Sequence, residues 1–341
     1  MKTPAATAAT WAQARHPTRR GALAAALALP AALALGSAGA QAQAWPDKPI
    51  RLIVNFPPGG AADVIGRAIA QQVGEQLRQQ IVVENRPGAN GNIGADAVAK
   101  SPADGHTLLM SSGGAITVNP FLYTRMPFDA LRDLQPVASV ARVLVFLMTH
   151  PSVPAGNVQE FIAHARAHPG RLSYGSAGSG SSPHLAGEMF ARQAGFQATH
   201  VPYKGAAPAL TDLLSGQVQF MFDPGPGLRH AREGKLRLLA VGSPRRSSQW
   251  PDTPTLAEAG MTGFDADTLF GIYAPAAVPG PVVARLHEEI NKALATARVL
   301  DVIKGIGGEP APLTRAEFAE RQLRDRERYG AVIREIGLKL E

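Results

Sequence analysis

The sequence predicts an α/β protein of two domains, and three observations carry that expectation. Short β-rich runs alternate with amphipathic stretches at the spacing of βαβ units joined by right-handed crossovers. The chain has 341 residues, 45% of them apolar, which suits two ordinary domains better than one and buries a substantial core. Two strand-like runs, Ile53-Val54-Asn55 and Leu172-Ser173-Tyr174, each enter a turn of small residues followed by a helical pattern, as equivalent corners of two domains would.

The chain begins with an address rather than a fold. No Asp or Glu precedes Trp45, while Lys2, Arg15, Arg19 and Arg20 supply positive charge. An uncharged Ala/Leu run from Gly21 to Leu35 follows, interrupted by Pro30, and then small residues through Ala44. A basic start, a short apolar run and A-x-A sites make a secretory signal peptide over 1–44, cleaved after Ala40, Ala42 or Ala44. The run is shorter than the ~20 residues a spanning helix needs. Arg19-Arg20 leaves the Sec and twin-arginine routes both open. The mature protein is expected in the periplasm.

Strands are expected at 50–55, 81–84, 106–110 and 143–149, then at 171–174, 199–203, 217–222, 236–241 and 268–274. Helices are expected after Gly60 to about residue 80, and at 158–167, 185–193, 207–214, 255–259, 282–295 and 316–338. The last is long and charged on its outer face, so it should pack on a surface.

Composition removes several function classes. With no Cys there is no disulfide, thiolate metal site or cysteine nucleophile. The formal charge of +7 first suggests an anionic polymer. The leader, however, holds four of the 34 basic residues and none of the 27 acidic ones, leaving 30 against 27 and a surplus of three. Basic residues are not interleaved with aromatics, so no nucleic-acid partner is expected. No Walker motif, G-x-S-x-G frame or metal-ligand spacing occurs, and no cofactor or metal is expected. A Ser181/His184/Asp223 triad exists in residue types alone.

The two corners carry the remaining chemistry. Gly59-Gly60 and Gly178 to Ser182 precede helices whose first N–H groups lack partners, so an anion can approach the backbone. Ordinary βα turns use the same residues. Neither loop holds Lys or Arg, which fits one carboxylate better than a polyphosphate.

At these residues the sequence resembles the Bug family, the TctC-like substrate-binding proteins of tripartite tricarboxylate transporters. The matching runs include Trp45-Pro46-x-Lys48-Pro49-Ile50, Phe56-x-Pro58-Gly59-Gly60-x-x-Asp63 and Val83-Glu84-Asn85-Arg86-Pro87-Gly88. Further on come Tyr174-Gly175-Ser176-x-Gly178-x-Gly180, Val201-Pro202-Tyr203-Lys204-Gly205 and Met221-Phe222-Asp223. The resemblance covers essentially the whole mature chain. It implies a two-domain periplasmic-binding-protein clamshell, each domain a mixed or parallel sheet flanked by helices. Domain one would combine 45–142 with 267–341, and domain two would be 143–266.

By the same resemblance, one side of the cleft presents Phe56, Gly59, Gly60, Ala61 and Asp63, and the other Ala177, Gly178, Ser179, Ser181, Ser182 and His184. Tyr203 and Lys204 would line the mouth or floor, Asp223 the far wall, and the loop containing Ser112 would face the cleft. The implied ligand is a small carboxylate: a di- or tricarboxylate, an aromatic acid or an amino acid. The implied protein is a monomeric, non-enzymatic solute-binding protein serving a membrane permease. A periplasmic ligand sensor and a Ser/His hydrolase are the alternatives. Asn55 stands where the family usually has Pro, and Ile116 roughly where a His is common.

Overall fold

The computed structural model describes residues 45–340. The proposed leader and its cleavage positions lie outside the described residues. Two sheets organise the chain, one of six strands and one of five.

The first sheet starts with β1 (Ile50–Val54), which leads through the Phe56–Gly60 turn into α1 (Ala61–Leu77). In α1, Ile65, Ile69 and Val73 recur at i, i+4 and are buried on the sheet. The helix ends on Arg78 in the left-handed conformation. β2 (Ile81–Asn85), α2 (Asn92–Ala99) and β3 (Thr107–Ser111) follow, and β1 pairs in parallel with both β2 and β3. Two short helical turns, α3 (Gly114–Thr117) and α4 (Asn119–Leu122), precede β4 (Leu134–Val143).

The chain then enters the second sheet through β5 (Phe146–Thr149) and α5 (Val158–Ala167). β6 (Leu172–Ser176), α6 (Ser182–Ala194), β7 (Ala198–Pro202), α7 (Ala206–Leu214), β8 (Phe220–Asp223), α8 (Leu228–Arg232) and β9 (Arg237–Val241) complete it. Strand order is β7-β6-β8-β5-β9, with β6 parallel to β7 and β8 and with β5 antiparallel to β8 and β9. Its core is aromatic. Phe161 packs against Phe190, Phe196 and Phe220 with ring centroids 5.1–5.9 Å apart, mostly edge to face.

The chain returns to the first sheet through β10 (Thr268–Pro275), then α9 (Gly280–Leu294), α10 (Ala297–Gly305), β11 (Glu309–Pro310) and α11 (Arg315–Ile336). The sheet order becomes β11-β4-β10-β3-β1-β2, with β10 antiparallel to β3 and β4. Helix α11 opens on a capping box, Thr314 accepting from the Glu317 N–H while Glu317 accepts from the Thr314 N–H.

Two expectations need correction. Residues 143–149 are not one strand: Val143 ends β4, Phe146 begins β5, and the buried Leu144 and Val145 carry the chain between sheets. Both flanking strands are apolar, so composition gave no mark of the break. Residues 255–259 form turns rather than a helix, too short to repay helix nucleation. The sheets are mixed because β5 and β10 enter from the opposite lobe and run antiparallel. The ten-residue β4, the longest strand, was not anticipated.

Two crossings join the lobes side by side. The Gly242 N–H donates to the Val145 carbonyl (2.8 Å), and the Ala266 N–H to the Gly242 carbonyl (2.8 Å). Arg142 sits against them. Its guanidinium donates to Asp267 (2.6 Å), Ser243 (2.9 Å) and Glu309 (2.5 Å).

Candidate functional site

Between the lobes lies a cleft with two adjoining chambers that share Phe56, Pro57, Ala177, Lys204 and Gly205. The first chamber, a cavity of about 170 Å³, is ringed by three helix N-termini: Gly60-Ala61-Ala62 of α1, Ser181-Ser182-Pro183 of α6 and Gly205-Ala206-Ala207 of α7. None of the three has a side-chain hydrogen bond at its cap. Their first-turn N–H groups, which Pro183 and Pro208 lack, therefore remain available, and the positive ends of three helix dipoles converge on one space. Ser112 reaches the same chamber from the β3–α3 turn. The second chamber, about 530 Å³, is lined by Gly178, Ser179 and Tyr203 together with Asn90 and Tyr123.

Among the described residues Lys204 is the one charged side chain lining either chamber, and it is exposed. An outer groove of about 710 Å³ continues past Gly59, Gly60 and Ala207 to Arg229, Arg232 and Lys304.

Three of the anticipated residues stand behind the wall instead of on it. Asp63 is buried and fastens the first corner: its carboxylate accepts from the Gly59 N–H (2.9 Å), from Asn85 (2.9 Å) and from Arg67 (3.1 Å). Burial pushes this carboxyl up, but the hydrogen bonds from Arg67, Gly59 and Asn85 outweigh it and hold it below the ordinary carboxylate range. Asn85 also donates to the Phe56 carbonyl (3.0 Å). Asp223 is fully buried and accepts from the Gly225 and Gly227 N–H groups (2.7 and 2.8 Å), which places Pro224 at the chamber wall. Burial pushes the Asp223 carboxyl up to about 6.

His184 supports the second corner from within. Its Nδ1 accepts from the Gly180 N–H at 2.9 Å, and its ring stacks on His200 at 3.7 Å. Ser181 donates to the Gly178 carbonyl at 2.6 Å. With the Ser181 hydroxyl and the His184 Nδ1 both committed to the loop, and Asp223 committed to its own turn, the three do not form a relay.

Burial lowers His184 to about 4, and burial together with the neighbouring His184 lowers His200 to about 4. A histidine whose folded-state pKa lies below its unfolded value of about 6.5 stabilises the fold above pH 6.5 and loses that contribution as pH falls toward 4. For His184 alone the loss between pH 7 and pH 5 is about 2 kcal/mol. His184→Asn keeps an acceptor for Gly180 but does not titrate, so urea midpoints at pH 7 and pH 5 should lie closer together than in the parent protein. Equal pH dependence in the two proteins would contradict this role.

Other side chains hold the lobes and loops in register. Asn90 donates across the cleft to the Gly180 carbonyl (2.9 Å) and within its own lobe to Asn119 (2.7 Å). Asn55 is buried and donates to the Gly91 carbonyl (3.2 Å) and Ser111 Oγ (3.1 Å), so it braces the turns flanking the second chamber. Tyr203 turns its hydroxyl away to Asp212 (2.6 Å), leaving the ring toward the cleft.

Sequence reasoning placed a helix at 207–214 but did not assign its Ala206-Ala207-Pro208 start to the site, although the adjoining Gly205 marks a third strand–glycine–helix corner. It also missed Pro224 and Phe270, which line the first chamber without a local motif. Phe270 arrives on the returning strand β10, so only the tertiary fold brings it there. Among the described residues no group of three or more His, Asp or Glu side chains is arranged to hold a metal, and no helix is long and apolar enough to cross a membrane.

A family model described as the tripartite tricarboxylate transporter family receptor matches residues 65–338. A UPF0065 protein from the tcbD–tcbE intergenic region of Pseudomonas sp. strain P51 is 40% identical over 312 residues, spanning 90% of this chain and 93% of its own. Protein BugT of Bordetella pertussis is 38% identical over 307 residues, 89% and 94% of the two chains. Among solved structures, an R. palustris protein with adipate is 34% identical with a TM-score of 0.82, covering 87% of this chain and all of that one. MatC from Rhodopseudomonas palustris with bound malate is 29% identical with a TM-score of 0.78, covering 85% of this chain and all of that one.

Proposed function

The chain belongs to the tripartite tricarboxylate transporter receptor family of periplasmic solute-binding proteins, and from that premise we propose that it captures a small carboxylate between its lobes for a membrane permease. The observation that carries this reading is the first chamber: three uncapped helix N-termini and one lysine face a space whose wall holds no carboxylate. Such a space favours a single negative charge and holds no carboxylate to pair with a cation. The adipate and malate complexes of the two structural relatives support the ligand class.

In this reading Phe56, Gly60, Ala61, Ser112, Ala177, Ser181, Ser182 and Lys204 contact the ligand from the first chamber, and Gly178, Ser179 and Tyr203 from the second. Gly59, Asp63, His184 and Asp223 shape the loops that do so. The lobes divide as 45–142 with 267–341, and 143–266, and they close about the paired crossings. The mature protein acts as a monomer after removal of a leader ending between residues 40 and 44. The family is one of binding proteins, not enzymes.

The test is thermal denaturation of the mature protein with malate, adipate and benzoate in turn. At least one should raise the melting temperature. Lys204→Met should then weaken that acid at least tenfold, about 1.4 kcal/mol, because it removes the positive charge lining both chambers. No shift with any of the three acids would overturn the reading.

A further inference from the structure

We propose, resting on the carboxylate reading above, that the ligand is a monocarboxylate with a compact aromatic body, and that Phe270 selects it. Few polar side chains line the first chamber. Its apolar lining includes Phe56, Phe270, Pro208 and Pro224, and Phe270 is buried. Side-chain polarity in this chamber is limited to Ser112, Ser181, Ser182 and Lys204.

The charge balance follows from that distribution. One carboxylate satisfies the ring of N–H groups and Lys204. A second, carried on a short body, would meet Phe270 and Pro224 with no cation and no side-chain donor beyond the serine hydroxyls, and desolvating an unpaired charge is costly. An aromatic ring instead finds two phenylalanine side chains and proline rings, surfaces that favour ring contacts. A cavity of about 170 Å³ suits a compact body.

The competing placement is the outer groove, where Arg229, Arg232 and Lys304 could take the far carboxylate of a long diacid. The two placements predict opposite selectivities.

Isothermal titration of the mature protein with benzoate, malate and adipate at one ionic strength decides between them. Benzoate should bind at least tenfold tighter than either diacid. Phe270→Leu, which keeps an apolar residue in the sheet, should weaken benzoate at least tenfold and change malate and adipate by less than twofold. Malate or adipate binding as tightly as benzoate would overturn the inference while leaving the carboxylate reading intact. Tight adipate binding lost in Arg229→Ala would move the second charge to the outer groove. Failure of all three acids to bind would remove both readings, and unchanged benzoate binding in Phe270→Leu would remove the role of Phe270.

Discussion

Gly205→Val should abolish ligand binding, reducing affinity at least a hundredfold, while leaving a folded protein. Gly205 has φ +119, a conformation L side chains rarely adopt, and a Cβ there would lie 3.4 Å from Pro57 Cγ. Pro57 belongs to the first lobe and Gly205 opens a helix of the second, so this contact lies across the cleft. Valine would add two methyl groups at that contact, hold the walls apart and turn the N–H groups of α7 away from the chamber. Gly234→Val is the control. Gly234 has φ +71 with nothing within 4 Å of a Cβ, so the control carries backbone strain of the same kind without touching the cleft. Titration calorimetry should find near-parental affinity for Gly234→Val and none for Gly205→Val. Parental affinity in Gly205→Val would show that the ligand does not sit where the lobes meet.

The largest loss of stability is expected from Arg142→Ala. The guanidinium side chain is only 14% exposed and faces Asp267, whose side chain is 2% exposed, as well as Glu309 and Ser243. Removing one member of a buried ion pair strands the other, at a cost of about 3–5 kcal/mol. In a mature chain of this size that lowers Tm by on the order of 10 °C. The deficit should depend on pH. Burial already pushes Asp267 up to about 6 against the pull of Arg142 and Ser243, and loss of Arg142 pushes it higher. An acid whose folded-state pKa exceeds its unfolded value destabilises the fold as pH rises through that range. Urea denaturation should therefore show a larger deficit at pH 7.5 than at pH 5.5, and Arg142→Ala with Asp267→Asn should recover part of it. A deficit below 1 kcal/mol, or one equal at both pH values, would contradict this account of the hinge.

How much of this was legible in the sequence depends on the range of the interaction. Local patterns placed α5 at its observed bounds and located α1, α11 and most strands, because apolar periodicity is a property of neighbouring residues. The glycine and serine corners were legible for the same reason: a strand entering a helix through small residues leaves a mark within ten positions. The strand break at Leu144 and Val145 left none, since both sides are apolar and the change of sheet is decided by the distant partners β10 and β9.

The site divided along the same line. Gly60, Ser181 and Lys204 lie in corner motifs and reach the chamber. Asp63, His184 and Asp223 lie in the same motifs, but their side chains turn inward to bind N–H groups four or fewer residues away. A sequence motif records which residues build a loop without recording which way each one faces. Phe270 had no motif because its place on the chamber wall is set only when β10 returns from the other lobe. The net charge is a further case: four of the seven surplus charges fall within residues 1–44, and helix N-termini with a single lysine line the cleft.

The central claim is that the cleft recognises a carboxylate, and pairing acids with their amides tests it most directly. Titration calorimetry of the mature protein with benzoate and benzamide, malate and malamide, and adipate and adipamide keeps the body and removes the charge. The account predicts micromolar binding, about −8 kcal/mol, for at least one acid and at least a hundredfold weaker binding of its amide. An amide that binds as tightly as its acid, or no binding by any of the acids, would contradict it.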